Sequence, residues 1–176
     1  MENAFLSLLE TADLRLGKAR ASDWEDMYRN VWSRPESARY MFWRLSESEA
    51  AARDRMLRTI EFQKTHDTYL VYQKQSGRAI GFAGVEEAWP GVVSEEGVCL
   101  GPDYTGRGYG TQILGCLMRY AAARYGAKRF LCSAREENAA SNALIRSMGF
   151  TLVSRELKTD ARDGSVYLLL RYERSL

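Results

Sequence analysis

The stretch from Leu100 to Leu114, LGPDYTGRGYGTQIL, sets Gly106, Gly108 and Gly110 at alternate positions between an apolar segment and an amphipathic one. A strand that ends in a glycine-rich turn and feeds a helix makes an anion site. The first helical N–H groups have no intrahelical partner, and the helix dipole adds partial positive charge there. Glycines remove the Cβ atoms that would hold a phosphate away, and Arg107 adds a fixed charge suited to phosphate oxygens. A turn with no ligand is the competing reading of the loop taken alone. Two better-known phosphate loops do not fit. A Walker loop needs Gly-Lys-Ser/Thr, whereas Gly110 is followed by Thr111; a dinucleotide fingerprint wants an acidic residue ending the next strand, which here ends CSAR. Two carboxylates, Glu95 and Glu96, precede the loop and point to opposite faces of a regular strand. Either also reads as a solvated acid at a strand start. Downstream, Asn138 suits a helix N-cap and Ser141 its first turn.

The elements that must position these residues follow from periodicity. ADLRLGKA alternates as a first strand, with Leu14 and Leu16 on one face. Ser22-x-x-Glu25 and Ser46-x-x-Glu49 read as capping boxes opening two helices, the second carrying Ala52, Met56 and Ile60 at helical spacing. TYLVYQ and AIGFAGVEEA flank the turn QSGR as a hairpin, and VVSEEGVCLG is the next strand. Ile113, Leu117 and Ala121 give a helix that runs to about Tyr125 and stops at Gly126. KRFLCSA is a strand, NAASNALIRSMGF a helix ending at Gly149, and FTLVSRELK and SVYLLLRYE two last strands. The order β-α-α-β-β-β-α-β-α-β-β implies an α/β fold with a mixed sheet and helices on both faces.

At 176 residues the chain suffices for one domain, 1–176, with its own core. A net charge of +2 with interspersed signs gives no reason to expect nucleic acid or a membrane surface, but suits an anionic small ligand. The N-terminus lacks the features of a signal peptide, and no apolar run approaches the roughly 20 residues that span a bilayer; a cytoplasmic protein is expected. Cys99, Cys116 and Cys132 read as buried free thiols. His66 is the sole histidine, which excludes a histidine-based metal cluster, and it reads as a surface residue.

SEEGVCLGPDYTGRGYGTQIL together with ENAASNALIRSMGF resembles the Gcn5-related N-acetyltransferases (GNAT). The likeness is to the branch that modifies protein N-terminal amines and small amines, the ribosomal-protein acetyltransferase type. The family's first block is matched by Glu95, Gly97, Pro102, Asp103, Tyr104, Gly106, Arg107, Gly108, Tyr109 and Gly110, and its second by Asn138, Ser141, Gly149 and Phe150. The broader pattern begins with Arg or Gln where this chain has Thr105. The resemblance covers nearly the whole chain. It implies a GNAT fold: a mostly antiparallel, twisted sheet of about seven strands, splayed between strands 4 and 5. It also implies acetyl-coenzyme A as donor and no metal.

On that resemblance, the pyrophosphate lies on the N–H groups of Arg107, Gly108, Tyr109, Gly110 and Thr111, with Thr105 and Gly106 adjoining. The pantetheine arm runs along the strand edge at Val98, Cys99 and Leu100, with Asn138 beside it. An N–H near Cys99 or Leu100 would steady the oxyanion. Glu95 is the candidate base and Ser141 the partner of the leaving sulfur, though Ser141 serves equally as a capping residue. Tyr104 and Tyr109 read as packing residues. Tyr28, Trp32, Tyr40 and Trp43 are candidates for the acceptor pocket, although an aromatic cluster also reads as core. The expected partners are acetyl-coenzyme A and a protein N-terminus or small amine, with the chain a monomer or homodimer. Two alternatives stand beside this: a degenerate acetyl-coenzyme A sensor or scaffold, and an acyltransferase acting on an antibiotic or polyamine.

Overall fold

The computed structural model describes residues 7–176. Its strands are β1 (Leu14–Gly17), β2 (Asp67–Gln73), β3 (Ala79–Trp89), β4 (Val92–Leu100), β5 (Arg129–Arg135), β6 (Thr151–Thr159) and β7 (Val166–Ser175). Helix α1 (Trp24–Met27) continues as a π-helical turn (Tyr28–Trp32); α2 is Pro35–Ala38, α3 Glu49–Phe62, α4 Tyr109–Tyr125 and α5 Ala139–Ser147. All seven strands form one sheet in the order β1-β2-β3-β4-β5-β7-β6. Every neighbouring pair is antiparallel except β4 and β5. That parallel pair holds only from Val92–Arg129 through Phe130 to Ser94–Leu131. Beyond Ser94 the two strands part, so the expected splay is present.

Helices cover both faces. On one, α4 sets Ile113, Leu114, Leu117 and Ala121 against Ile80, Val93 and Phe130. On the other, α1 and α3 cover Leu70, Tyr72 and Ala79 with Met27, Val31, Ala52 and Met56. The two layers are unequally anchored. Helix α4 buries eight residues and α3 only Ala52 and Met56; at roughly 1.5–3 kcal/mol for each large apolar side chain, α4 is much the more firmly held. All three cysteines are buried free thiols, and burial pushes Cys99 up to about 12 and Cys116 up to about 11.

Both expected capping boxes are displaced. Helix α3 begins two residues later than Ser46 implies: Ser48 is its N-cap, with Oγ accepting from Ala51 N at 3.1 Å. Ser46 is buried instead, its N–H donating to Trp32 O. At the first helix the reaching carboxylate is Asp23, not Glu25. Asp23 Oδ2 accepts from the N–H of Arg20 at 2.7 Å and from the Tyr72 hydroxyl at 2.6 Å. Burial against Tyr72 decides between two acids that match the same local pattern. The cap at Asn138 is as expected, with Oδ1 accepting from Ser141 N at 3.2 Å.

One irregularity in β4 directs the site. Val85 pairs with Glu95 but Ala83 with Val98, so β4 carries one extra residue there, and Gly97 in that bulge has φ +80°. A side chain at Gly97 would incur the left-handed penalty of about 1–2 kcal/mol. Gly97→Ala is therefore expected to lower the unfolding free energy, read from urea unfolding, by about 1–2 kcal/mol; an unchanged midpoint would show that the bulge tolerates a Cβ.

Candidate active site

Where β4 leaves β5, two backbone donors lose their ladder partners. Gly101 N–H donates to Ile80 O across β3 at 2.8 Å, which fixes the parity of the strand end. The groups of Cys99 therefore face β3, and those of Val98 and Leu100 face the opened gap. The sequence left Cys99 and Leu100 equal as candidates for a free donor. Register decides for Leu100.

Glu95 stands at the apex of this gap. Its Oε2 is buried without a hydrogen-bond partner. Burial pushes the carboxyl up to about 7; the backbone N–H groups of Ser133 and Gly97 oppose the rise and the neighbouring Glu96 charge adds to it. Glu96 faces elsewhere, and burial, with the neighbouring Glu86 charge, raises it as well. His66 stacks on Phe62 at 3.7 Å and is not among the groups around Glu95.

The glycine loop is a bare backbone cradle. Gly106 and Gly108 have φ +72° and +75°, and nothing lies within 4 Å of where a Cβ would project from either. Gly108 is the N-cap of α4 and offers no side-chain acceptor. Among the described residues, no protein group accepts from the N–H groups of 106–111, the first bond of the helix being Gln112 N to Gly108 O. Two positive-φ residues flanking Arg107 turn successive N–H groups into one concavity, a nest that fits a pyrophosphate. Arg107 is exposed and lies 5.8 Å from the Tyr104 ring. Thr105 bends its hydroxyl back onto Pro102 O at 2.9 Å. Tyr109 points inward, where its hydroxyl accepts from Gln73 Nε2. Its side chain is packing; its N–H belongs to the cradle.

Ser141 satisfies the cap through its backbone N–H, leaving the hydroxyl with no hydrogen bond to the described residues. On the opposite side of the sheet, a cavity of about 450 Å³ lies under α3. Trp32 and Trp43 line it, together with Arg55, Phe82 and Glu96. Tyr28 and Tyr40 do not: Tyr28 packs against the core beneath α1, and Tyr40 stands beside Arg39. A missed group secures this side. Asp160, at the end of β6, is buried and bonded by Arg162 and Arg135, each at 2.7 Å; these two guanidiniums hold its carboxyl well below the usual carboxylate range. Arg162 also donates to Ala38 O and Trp43 O, tying the β6–β7 connection to the loop that carries Trp43. Only the sequence separation of these partners hid them, since Asp160 and Arg162 read as turn residues. Among the described residues no helix is long and apolar enough to cross a membrane.

The fold is shared with solved acetyltransferases. The acetyltransferase (GNAT family) from Bacillus anthracis superposes with a TM-score of 0.81 at 14% identity, covering 95% of this chain and 97% of that one. The acetyl transferase of Salmonella typhimurium that modifies the N-terminal serine of 50S ribosomal subunit protein L7/L12 gives 0.77 at 22%, covering 94% and 96%. The microcin C7 self-immunity acetyltransferase MccE, solved with acetyl-CoA and AMP, gives 0.80 at 17%, covering 94% of each chain. No curated protein matches in sequence. At the level of families, residues 13–151 match the acetyltransferase (GNAT) domain. That match runs through the splayed strand, the cradle and α4 as far as Thr151, and on it the chain belongs to the GNAT acetyltransferase family.

Proposed function

We propose that the chain acetylates a primary amine, a protein N-terminal α-amine or a small-molecule amine, by direct attack on acetyl-coenzyme A with both substrates bound. The observation that carries this reading is the Glu95 carboxyl, buried at the apex of the β4–β5 gap and poised near 7. A base of that pKa is half ionised at neutral pH and matched to an α-amine, whose own pKa is about 7.7–8.0. Glu95 takes the amine proton. The N–H of Leu100, left unpaired by the splay, donates to the carbonyl oxygen as it gains charge. The N–H groups of 107–111 hold the pyrophosphate, and the Ser141 hydroxyl donates to the departing sulfur. Acetyl-coenzyme A supplies the activated acyl group. The titrating carboxyl and the uncommitted serine favour an enzyme over a sensor, which would need neither. The placement expected from composition, cytoplasmic, and a monomer or homodimer, belong to the same proposal.

Incubation with acetyl-coenzyme A and a panel of amines and N-terminal peptides should release free thiol and add about 42 Da to the acceptor, as the reaction class requires. Tight coenzyme binding without turnover on any acceptor would leave the sensor reading. Glu95→Gln is expected to lower kcat/KM by about 100-fold or more and to remove the rise in rate through about pH 7. If that rise persists, another group is the base. Ser141→Ala should cost about tenfold in kcat with the melting temperature unchanged, because the cap uses the backbone N–H.

The same carboxyl links to stability. Its folded pKa lies above the ordinary carboxylate value, so its contribution is full at low pH and is lost as pH rises through about 7. Glu95→Gln should therefore gain on the wild type between pH 5 and pH 8 in urea unfolding, by up to about 3 kcal/mol. A difference independent of pH would contradict the burial of that charge.

A further inference from the structure

We infer that the cavity under α3 is an anion subsite, and that the amine acceptors selected there carry a carboxylate that pairs with Arg55. This rests on the acetyl-transfer reading above. The Arg55 guanidinium lies 4.7 Å from the Trp32 ring and 4.5 Å from the Trp43 ring, with a single hydrogen bond to the described residues, to Arg44 O at 3.1 Å. Among the described residues no carboxylate pairs with it. Two other charged side chains line the cavity: Arg58, whose like charge acts against Arg55, and Glu96, which makes no ion pair with it. A partly buried cation beside a second cation is costly unless an anion completes it. Burial lowers Arg55 to about 10, well within the charged range at neutral pH.

A second donor stands at the same place. Trp43 Nε1 is buried without a hydrogen-bond partner. A guanidinium fork and an indole N–H, both lining one cavity with an aromatic wall, suit a carboxylate on an apolar or aromatic frame. The cavity also reaches β4. Glu96, the residue after Glu95 in the strand, lines it, and Arg55 acts electrostatically on Cys99, the residue before Leu100. An acceptor can therefore rest its acid group on Arg55 while its amine faces the splayed strand. That chemistry has two sources, a free amino acid and a peptide with an acidic residue near its N-terminus.

Matched acceptors distinguish them: phenylalanine against phenylalaninamide, and Ser-Asp-Gly-amide against Ser-Asn-Gly-amide. In at least one pair the carboxylate member should be favoured about tenfold or more in kcat/KM, and the pair that responds identifies the source. Arg55→Gln should bring that ratio to about one. Should that variant fail to fold, Arg55→Met, which fills the space between the two indoles, takes its place. Equal use of both members of each pair, or a preference that survives loss of the guanidinium, overturns the inference while leaving acetyl transfer intact. Tryptophan fluorescence decides the matter without turnover: phenylalanine, titrated into the full chain, should perturb the emission saturably and phenylalaninamide should not. If no acceptor is turned over but this contrast holds, the acetyl-transfer reading fails and the subsite stands; no contrast in binding or turnover removes the subsite.

Discussion

The rest of the site depends on one broken ladder. After Ser94 and Leu131, β4 and β5 stop exchanging hydrogen bonds although both strands continue. An unpaired strand edge inside a sheet is unfavourable unless something meets its donors and acceptors. Here the apex is filled by the Glu95 carboxyl, which faces the Ser133 N–H that a straight β4 would have engaged. Further along, the groups of Val98 and Leu100 face the gap with no strand beside them, an edge of the kind that pairs with an extended, amide-bearing chain. The bulge at Gly97 separates the two regimes, so that the side chain before it and the backbone after it address the same gap.

The cradle and the cavity are built differently around that gap. The cradle belongs to the N-terminus of α4, whose long buried face fixes the position of its free N–H groups. The cavity side depends on connections. The Asp160 carboxylate gathers two arginines, and Arg162 passes the constraint on to the carbonyls of Ala38 and Trp43. A buried carboxylate with two guanidiniums is satisfied only in one arrangement, so the loop bearing Trp43 is held to the far end of the sheet. Asp160 is thereby committed to structure, whereas Glu95, with no cationic partner, is left able to titrate near neutrality.

Much of this was legible in the sequence. Strand and helix order, the stop at Gly126, the cap at Asn138 and the glycine cradle are all local patterns, and local patterns survive folding. What was not legible required knowledge of neighbours. Ser22 satisfies the capping-box spacing as well as the residues that act, and only the burial of Asp23 against Tyr72 separates them; Ser46 is excluded by its own burial beside Trp32. The choice of Leu100 over Cys99 is one of strand parity, which the bulge at Gly97 resets. Trp32 and Trp43 reach the cavity while Tyr28 and Tyr40 do not, because the π-helical turn and the Arg162 bonds rotate and tether this segment in ways that residue type does not encode. Arg55 carried no signal at all, since an arginine on a helix is ordinarily solvated.

The shallow seating of α3 has a consequence for how such a chain can diversify. Only Ala52 and Met56 of that helix are buried, and Arg55, Arg58 and Thr59 present their side chains to the cavity without being needed by the core. Substitutions there reshape the cavity at little cost to folding, whereas α4 admits few changes without disturbing the cradle. On the function proposed above, donor binding is then the fixed element and acceptor choice the adjustable one, and the boundary between them is the line along which β4 and β5 separate.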